Sequence, residues 1–352
     1  MFLALKEIKK EKLRSGLIIF MIVLIGYLIF ILTSLALGLA QQNTDAINSW
    51  HAQRIVLNAD ANTDMRQSFL TQKQVGKLSK KEALLGETSV VAKAKGQKQQ
   101  SAVFIGLKSN QFIDQKLKLQ SGRKVTAGHE IVVDTAFKTA GYKLGSKMQL
   151  NDDKQKYTIV GFTDKAKLNI APVVYGQLTI WKYLRAIPAG GPVGSAIVST
   201  DRTYKDSQSG VKTYTKQRVI QKLPGYSAQN MTFLMMIGFL MVISLIIIAV
   251  FLYILTMQKL PNYAVLRAQG IPSRVLVGAT ISQSLLLVIS GLVIATILTV
   301  ATAAAMPAVV PMAFDIPALS AVGLGLLVMA LLGSLIPIKS VLSVDPVSVI
   351  GG

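Results

Sequence analysis

Residue types that do chemistry occur in this chain of 352 residues, but their spacing assembles no centre. The two histidines, His51 and His129, stand alone, and the carboxylates between positions 41 and 229 are scattered without a pairing that general acid–base work would need. Gly-x-Ser-x-Gly, His-Glu-x-x-His and Gly-x4-Gly-Lys-Ser/Thr do not occur. Cysteine is absent, which removes disulfides, thiolate metal sites and a lipidated thiol. The chain therefore carries no P-loop with which to hydrolyse a nucleotide. Any energy it uses must come from a partner, and by itself it reads as a non-enzyme.

One short segment is better organised. In Gln258-Lys-Leu-Pro261-Asn-Tyr-Ala-Val-Leu-Arg267-Ala-Gln-Gly270-Ile-Pro272-Ser-Arg274, both ends of a helix are marked. Pro261 suits a first turn, where its missing N–H has no bond to lose, and Gly270 suits the left-handed position after the last turn. Tyr263, Leu266 and Gln269 then share one face, which a partner could grip. The competing reading is a helix that merely lies in the membrane interface.

The elements around this segment follow from composition. Residues are 51% apolar and only 16% charged, too apolar for an ordinary soluble domain of this length. Positions 17–40 carry no charge, and at 1.5 Å per residue they extend about 36 Å, enough to cross a hydrocarbon core. A second uncharged run covers 233–257. Between 275 and 338 the only charge is Asp315, flanked by Pro307, Pro311 and Pro317, so two further helices joined by a short loop are expected. The predicted order is a segment 1–16, spans at 17–40, 230–257, 275–305 and 318–337, an outer domain at 41–229, loops at 258–274 and 306–317, and a tail at 338–352. A cleaved signal peptide fits the first run poorly, because the run exceeds a usual h-region and leads into Gln41-Gln42-Asn43 without an Ala-x-Ala site.

Basic residues in the short flanks set the orientation. Lys6, Lys9, Lys10, Lys12 and Arg14 precede the first span, Lys259, Arg267 and Arg274 lie between the second and third, and Lys339 follows the fourth. Both termini and the 258–274 loop are thus expected in the cytoplasm and 41–229 outside it. The outer segment holds 29 Lys and Arg against 13 Asp and Glu, a net +16 of the chain's +21. Its location argues against nucleic acid and for anionic lipid or wall polymer.

Within 41–229, strand-like runs at 54–57, 101–105, 130–133, 147–150, 157–160 and 195–198 alternate with helical patterns at 61–80, 134–140, 176–186 and 206–223. Asn151-Asp152-Asp153 reads as a hairpin turn and Gly190-Gly191-Pro192 as a loop. The fold class is a membrane protein with four transmembrane α-helices and one large α+β extracytoplasmic domain between helices 1 and 2.

Ala264-Val-Leu-Arg267-Ala-Gln-Gly270-Ile-Pro-Ser-Arg274 resembles the coupling segment of FtsX/MacB-type ABC transporter permeases. Val344-Asp345-Pro346-Val-Ser-Val-Ile350 resembles their C-terminal tail, and the stretches 128–134, 141–145 and 158–161 resemble their outer domain. Met1-Phe-Leu-Ala-Leu-Lys-Glu-Ile8, with Trp50 and Ile55-Val-Leu57, is similar to the HrtB-type permeases of Gram-positive bacteria, associated with haem export. The resemblance implies a homodimer in the plasma membrane, surrounded by lipid, bound to a separate cytoplasmic ATPase that holds the ATP. Partner contacts would fall on Pro261, Tyr263, Leu266, Arg267, Gln269 and Arg274. Tyr263 stands where many relatives have a Glu. Haem would be a substrate and not a resident cofactor. Its ligands or contacts would come from Trp50, His51, Met231, Met235 and Tyr27, with Met236 close by. Packing and interfacial anchoring are competing roles for each of these residues. Export of a peptide, macrolide or other amphiphile, and mechanical activation of an external hydrolase, are alternatives within the same architecture.

Overall fold

Runs this apolar satisfy their backbone most completely as helices, and in the computed structural model, which describes residues 11–151, 154–307 and 310–342, they do. Four helices among the described residues are long and apolar enough to cross a membrane: α1 (Lys12–Ser49), α2 (Tyr226–Ala268), α3 (Ser273–Ala305) and α4 (Ile316–Leu342). The chain divides into two compact units. Met1–Gly38 with Asn230–Gly352 forms the helical unit, and Leu39–Gln229 forms the domain inserted between the first and second helices. The basic residues at 6, 9 and 10, the motif at 1–8, the Asp152-Asp153 part of the predicted turn and the tail motif at 344–350 lie outside the described residues.

In the helical unit, small residues bring the backbones together. A Cβ on Gly291 would meet Ile22 at 2.5 Å, and Gly26 faces Ala295 and Leu292, so α1 and α3 cross at close range. Gly333 does the same for α4 against Ala249 of α2. The loop before α4 is tied to α1 by the Ala313 N–H, which donates to the Ser34 carbonyl at 3.0 Å. Ile22, Ile29, Leu252, Leu287 and Leu326 lie in the core these contacts enclose.

Two helix ends differ from expectation. Pro261 does not start a helix: α2 runs through it to Ala268. Pro337 likewise sits inside α4, which continues to Leu342 instead of stopping at 337. A proline removes one backbone bond, and in a membrane helix packed neighbours and local adjustment tolerate that loss.

The inserted domain is built on β1 (Arg54–Asn58), β2 (Glu82–Lys93), β3 (Gln100–Leu107), β4 (Leu119–Gly122), β5 (Glu130–Asp134), β6 (Lys147–Leu150), β7 (Tyr157–Thr163), β8 (Lys167–Leu168), β9 (Ala171–Gln177), β10 (Ala196–Ser199) and β11 (Val211–Thr215). β2 pairs with β3, β3 with β9, β9 with β5, β5 with β7, β7 with β6, and β6 returns to β2. These pairings close a six-stranded ring, which leaves no free edge among its members. Phe104, Ile131, Met148, Tyr157, Ile159 and Val174 belong to one core cluster, with the edge-to-face pair Phe137 and Tyr142 beside them. β10, β1 and β11 extend the sheet beyond β2. A second cluster lies between the sheet and Ala46, Ile47, Trp50, Val219 and Ile220.

The six predicted strands are present. The helical patterns hold only in part: 178–184 is a helix, 136–139 a single turn ended by Gly141 at φ +95°, and 216–221 the second half of the run at 206–223. Before it come a loop at 206–210 and β11. In the 61–80 stretch only Gln72–Val75 is helical, opened by a Thr71–Gln74 capping box. The longest strand, β2, has no counterpart in the prediction.

Three glycines explain one close contact. Gly86, Gly106 and Gly176 lie side by side in register on β2, β3 and β9. Trp181 of the helix at 178–184 rests on the first two, and its indole N–H donates to the Glu87 carbonyl at 2.9 Å. A Cβ on Gly86 would stand 2.3 Å from the indole ring. Gly86→Ala should therefore cost roughly 1–3 kcal/mol through overpacking, measured as a lower thermal midpoint of the purified protein. An unchanged midpoint would show that the tryptophan has room to move.

Candidate functional site: the turn between the second and third spans

The segment singled out by sequence lies where α2 turns into α3. Gly270 closes α2 at φ +88°, with the Gly270 and Ile271 N–H groups donating to the Arg267 and Leu266 carbonyls, as a left-handed cap requires. Pro272 then caps α3. The predicted helix end is thus present at the predicted residue, although the helix belongs to the span itself.

Of the six residues expected to meet a partner, Pro261, Gln269 and Arg274 are exposed, whereas Tyr263 and Leu266 turn inward. Tyr263 is 2% exposed and packs with Leu276 of α3 and Val341 of α4, and Leu266 packs partly against the same cluster. Both side chains tie the turn to the bundle. The outward surface is instead carried by Pro261, Asn262, Val265 and Gln269, with Arg274 exposed just beyond and Arg267 half-buried. Asn262, Val265 and Gln269 follow i, i+3, i+7 spacing; Gln269 belongs to the predicted face, while Asn262 and Val265 each lie one residue before a predicted contact.

Two residues before Pro261, a charge is buried between helices. The Lys259 ammonium donates to Gln283 Oε1 at 2.9 Å, and both residues are 5% exposed. The Gln283 amide nitrogen has no acceptor among the described residues. An ammonium inside a bundle is costly unless bonded, so this bond fixes α2 against α3 directly behind the turn. Together with the Tyr263 packing, it ties movement of the turn to both helices.

The residues considered for a substrate are distributed between the two units. Trp50 is 1% exposed and its indole N–H donates to the Tyr175 hydroxyl at 3.3 Å, which makes it a core residue of the inserted domain and not an open contact. That burial pushes the Tyr175 hydroxyl up to about 12. His51, next to it, is exposed and left-handed at φ +54°. In the helical unit the Tyr27 hydroxyl is bonded to Thr302 Oγ1 at 2.9 Å, linking α1 to α3. Met231 and Met235 lie one turn apart on α2, 58% and 53% exposed, beside the exposed Met236 and Phe239. They alone among the helical-unit candidates present an open face.

A cavity of about 700 Å³ also opens in the helical unit, lined by Phe30, Leu292, Val300, Phe314, Leu319, Leu327 and their neighbours. Its threonines are satisfied internally: Thr296 and Thr299 donate to the carbonyls four residues back. Among its described lining residues there is no His, Met, Tyr or charged side chain. It can hold an apolar chain, and it offers nothing to ligate a metal or pair an acid.

Residues 234–346, which contain the turn, the Lys259–Gln283 bond and three of the four long helices, match the FtsX-like permease C-terminal family. The chain carries an FtsX-like permease domain. This assignment makes it a multi-pass permease component of ABC-transporter type, and the turn falls within the matched region. Over its whole length the chain is 26% identical to a protein named a hemin transport system permease protein, HrtB, of Staphylococcus haemolyticus, with 100% of this chain and 99% of that one aligned. It is 24% identical to a protein of the same name from Staphylococcus epidermidis over the same shares. Among solved structures, the periplasmic region of MacB from Actinobacillus actinomycetemcomitans aligns with 50% of this chain and 94% of its own at 16% identity and a TM-score of 0.36.

Proposed function

We propose that this FtsX-type permease is the membrane subunit of an ATP-driven exporter that takes haem from the membrane, driven by a separate ATPase acting on the 258–274 turn. The observation that carries the reading is the end-to-end similarity to HrtB permeases, from the first helix through the inserted domain to the last span. The basic flanks support a cytoplasmic position for both termini and the turn, where an ATPase works, and an outer position for the inserted domain. The spans are nearly free of ionisable groups, a poor path for a hydrophilic solute and a suitable one for an amphiphile drawn from the bilayer. In a homodimer the exposed face of α2 would meet its counterpart or lipid.

Met231 and Met235 are the ligands or contacts we assign to haem in the helical unit, because both are open and share one face. His51 is the exposed candidate of the inserted domain. The Met231→Leu/Met235→Leu protein in nanodiscs should bind haem at least about tenfold more weakly, read from the Soret band, since one lost contact of about 1.4 kcal/mol gives that factor. Haem binding unchanged in that variant would remove these residues from the site. Export of another amphiphile has one specific observation behind it: the carbon-lined cavity of α1, α3 and α4, which suits an acyl or hydrophobic peptide chain. Stimulation of the assembled ATPase by such compounds, without response to haem, would favour that reading.

A further inference from the structure

The outer wall of the six-stranded ring carries a group of lysines that the proposed transport path does not use. Lys93 on β2 stands opposite Gln149 on β6, and Lys147 stands opposite Thr158 on β7. Since Met148 pairs with Tyr157, the next residue back, Lys156, falls beside Gln149. The alternate residues Ala92, Met148, Leu150 and Tyr157 are buried in the core. Strand alternation therefore turns Lys93, Lys147 and Lys156 outward together. The β2–β3 turn adds Lys95 and Lys98, and Lys143 follows Tyr142, whose hydroxyl donates to the Lys98 carbonyl. Lys95, Lys98, Lys143, Lys147 and Lys156 are exposed, and no ion pair engages them among the described residues. Glu130, beside Thr158, is already taken by Arg123, by the Thr126 hydroxyl and by the Thr126 and Ala127 N–H groups.

With strands about 4.8 Å apart and alternate residues about 6.6 Å apart along a strand, these ammonium groups form a lattice of closely spaced point charges. Such a lattice recognises a chain of phosphates better than one compact anion, because each lysine meets its own phosphate and releases its own counterion. Position selects the source. Register places Arg54, Thr215, Ser199 and Glu82 side by side, so the chain enters and leaves the domain at the Glu82 end of β2. The lysines lie at the opposite end of β2, roughly 35 Å along the strand. We infer that this face binds a phosphate-bearing polyanionic polymer on the outer side of the membrane, and that it is not a lipid-headgroup contact. The outward placement rests on the orientation proposed above, whereas the binding chemistry does not.

The test uses the full-length protein in neutral phosphatidylcholine nanodiscs, with fluorescently labelled long-chain polyphosphate as the probe. Binding should weaken with salt with a slope of roughly −3 in log–log form for four contacts. The Lys95→Gln/Lys98→Gln/Lys147→Gln/Lys156→Gln protein should bind at least tenfold more weakly at unchanged thermal midpoint. Lys73→Gln/Lys77→Gln/Lys212→Gln/Lys222→Gln, an equal charge loss elsewhere on the domain, should change binding less than twofold. Absence of polyphosphate binding, or equal loss in both variants, would overturn the inference. Patch-dependent capture of the detergent-solubilised protein by phosphatidylglycerol vesicles that exceeds its binding to polyphosphate would overturn the choice of polymer over lipid. Because the assay contains neither haem nor ATPase, its failure leaves the transport reading untouched, and failure of haem transport leaves this result standing.

Discussion

Gln283→Leu should separate ATP hydrolysis from transport. The substitution removes one acceptor of a buried ammonium, the one on α3, and with it a charge-assisted hydrogen bond of roughly 1.5–3 kcal/mol, while leaving the outward residues of the turn, Asn262, Val265 and Gln269, in place. An ATPase should therefore still dock and hydrolyse ATP. The push on the turn would then reach α3 through the chain itself and the Tyr263–Leu276–Val341 packing, without this bond between the helices. Transport per ATP should fall about tenfold or more, the factor that corresponds to losing 1.4 kcal/mol of coupling. Gln283→Asn tests geometry with the chemistry kept: its shorter side chain should behave as the leucine variant does, although an amide is present. The converse variant, Val265→Glu, alters the outward face and should weaken ATPase binding itself. Equal transport per ATP in wild type and Gln283→Leu would show that the motion travels by another route.

The second large effect concerns the inserted domain. Glu87 on β2 is 3% exposed and its Oε2 has no hydrogen-bond partner. Burial, reinforced by the negative charge of Asp64, pushes its carboxyl from the ordinary 4.5 up to about 8, and nearby Arg66 offsets only part of this. Arg66 is already held by Asp64 at 2.8 Å and 3.1 Å. A carboxyl whose folded value is raised binds its proton more tightly when folded, so its contribution to stability is complete below pH 4.5. The contribution falls as pH rises and is lost once pH passes 8. At pH 7 the penalty is roughly 3 kcal/mol, from the interval between 4.5 and pH 7 at about 1.4 kcal/mol per pH unit. Glu87→Gln keeps the shape without the titration. It should raise the thermal midpoint at pH 8 by several degrees, change it little at pH 5, and flatten the dependence between. A midpoint that rises with pH from 5 to 8 in the wild type, with the slope carried by Glu87, would contradict the assignment.

The chain's sequence made the membrane unit more legible than the inserted domain, for a physical reason. A span needs about 20 apolar residues whatever its neighbours are, so 17–40, 230–257, 275–305 and 318–337 announce themselves, and each lies within a long helix. Their ends depend on context: Pro261 and Pro337 look like terminators, yet packed neighbours carry the helix through both. Gly270 was readable because a left-handed cap is a local demand of the backbone. The burial of Tyr263 was not, since the inward face of α2 is set by α3 and α4.

In the inserted domain, β2 escaped because Glu82-Ala-Leu-Leu-Gly-Glu lacks alternation: it crosses from one core cluster to the other and is buried on both faces. The ring closed by β6 was invisible for another reason. Which strands meet is a long-range fact, and no four-residue run contains it. Trp50 shows the same limit in the candidate site. Its type suited an interface, but only the fold reveals that its indole is spent on Tyr175.

The reading as a whole rests on ATP-driven removal of haem from a bilayer, and one measurement addresses it directly. The permease and its ATPase are reconstituted in haem-loaded liposomes, and transfer of haem to an external apo-haemoprotein is followed by absorbance. The account predicts transfer that requires ATP, falls about tenfold or more in Gln283→Leu, and weakens in Met231→Leu/Met235→Leu. Haem transfer that is equally fast without ATP, or that is absent while an amphiphilic peptide is moved in its place, would contradict it.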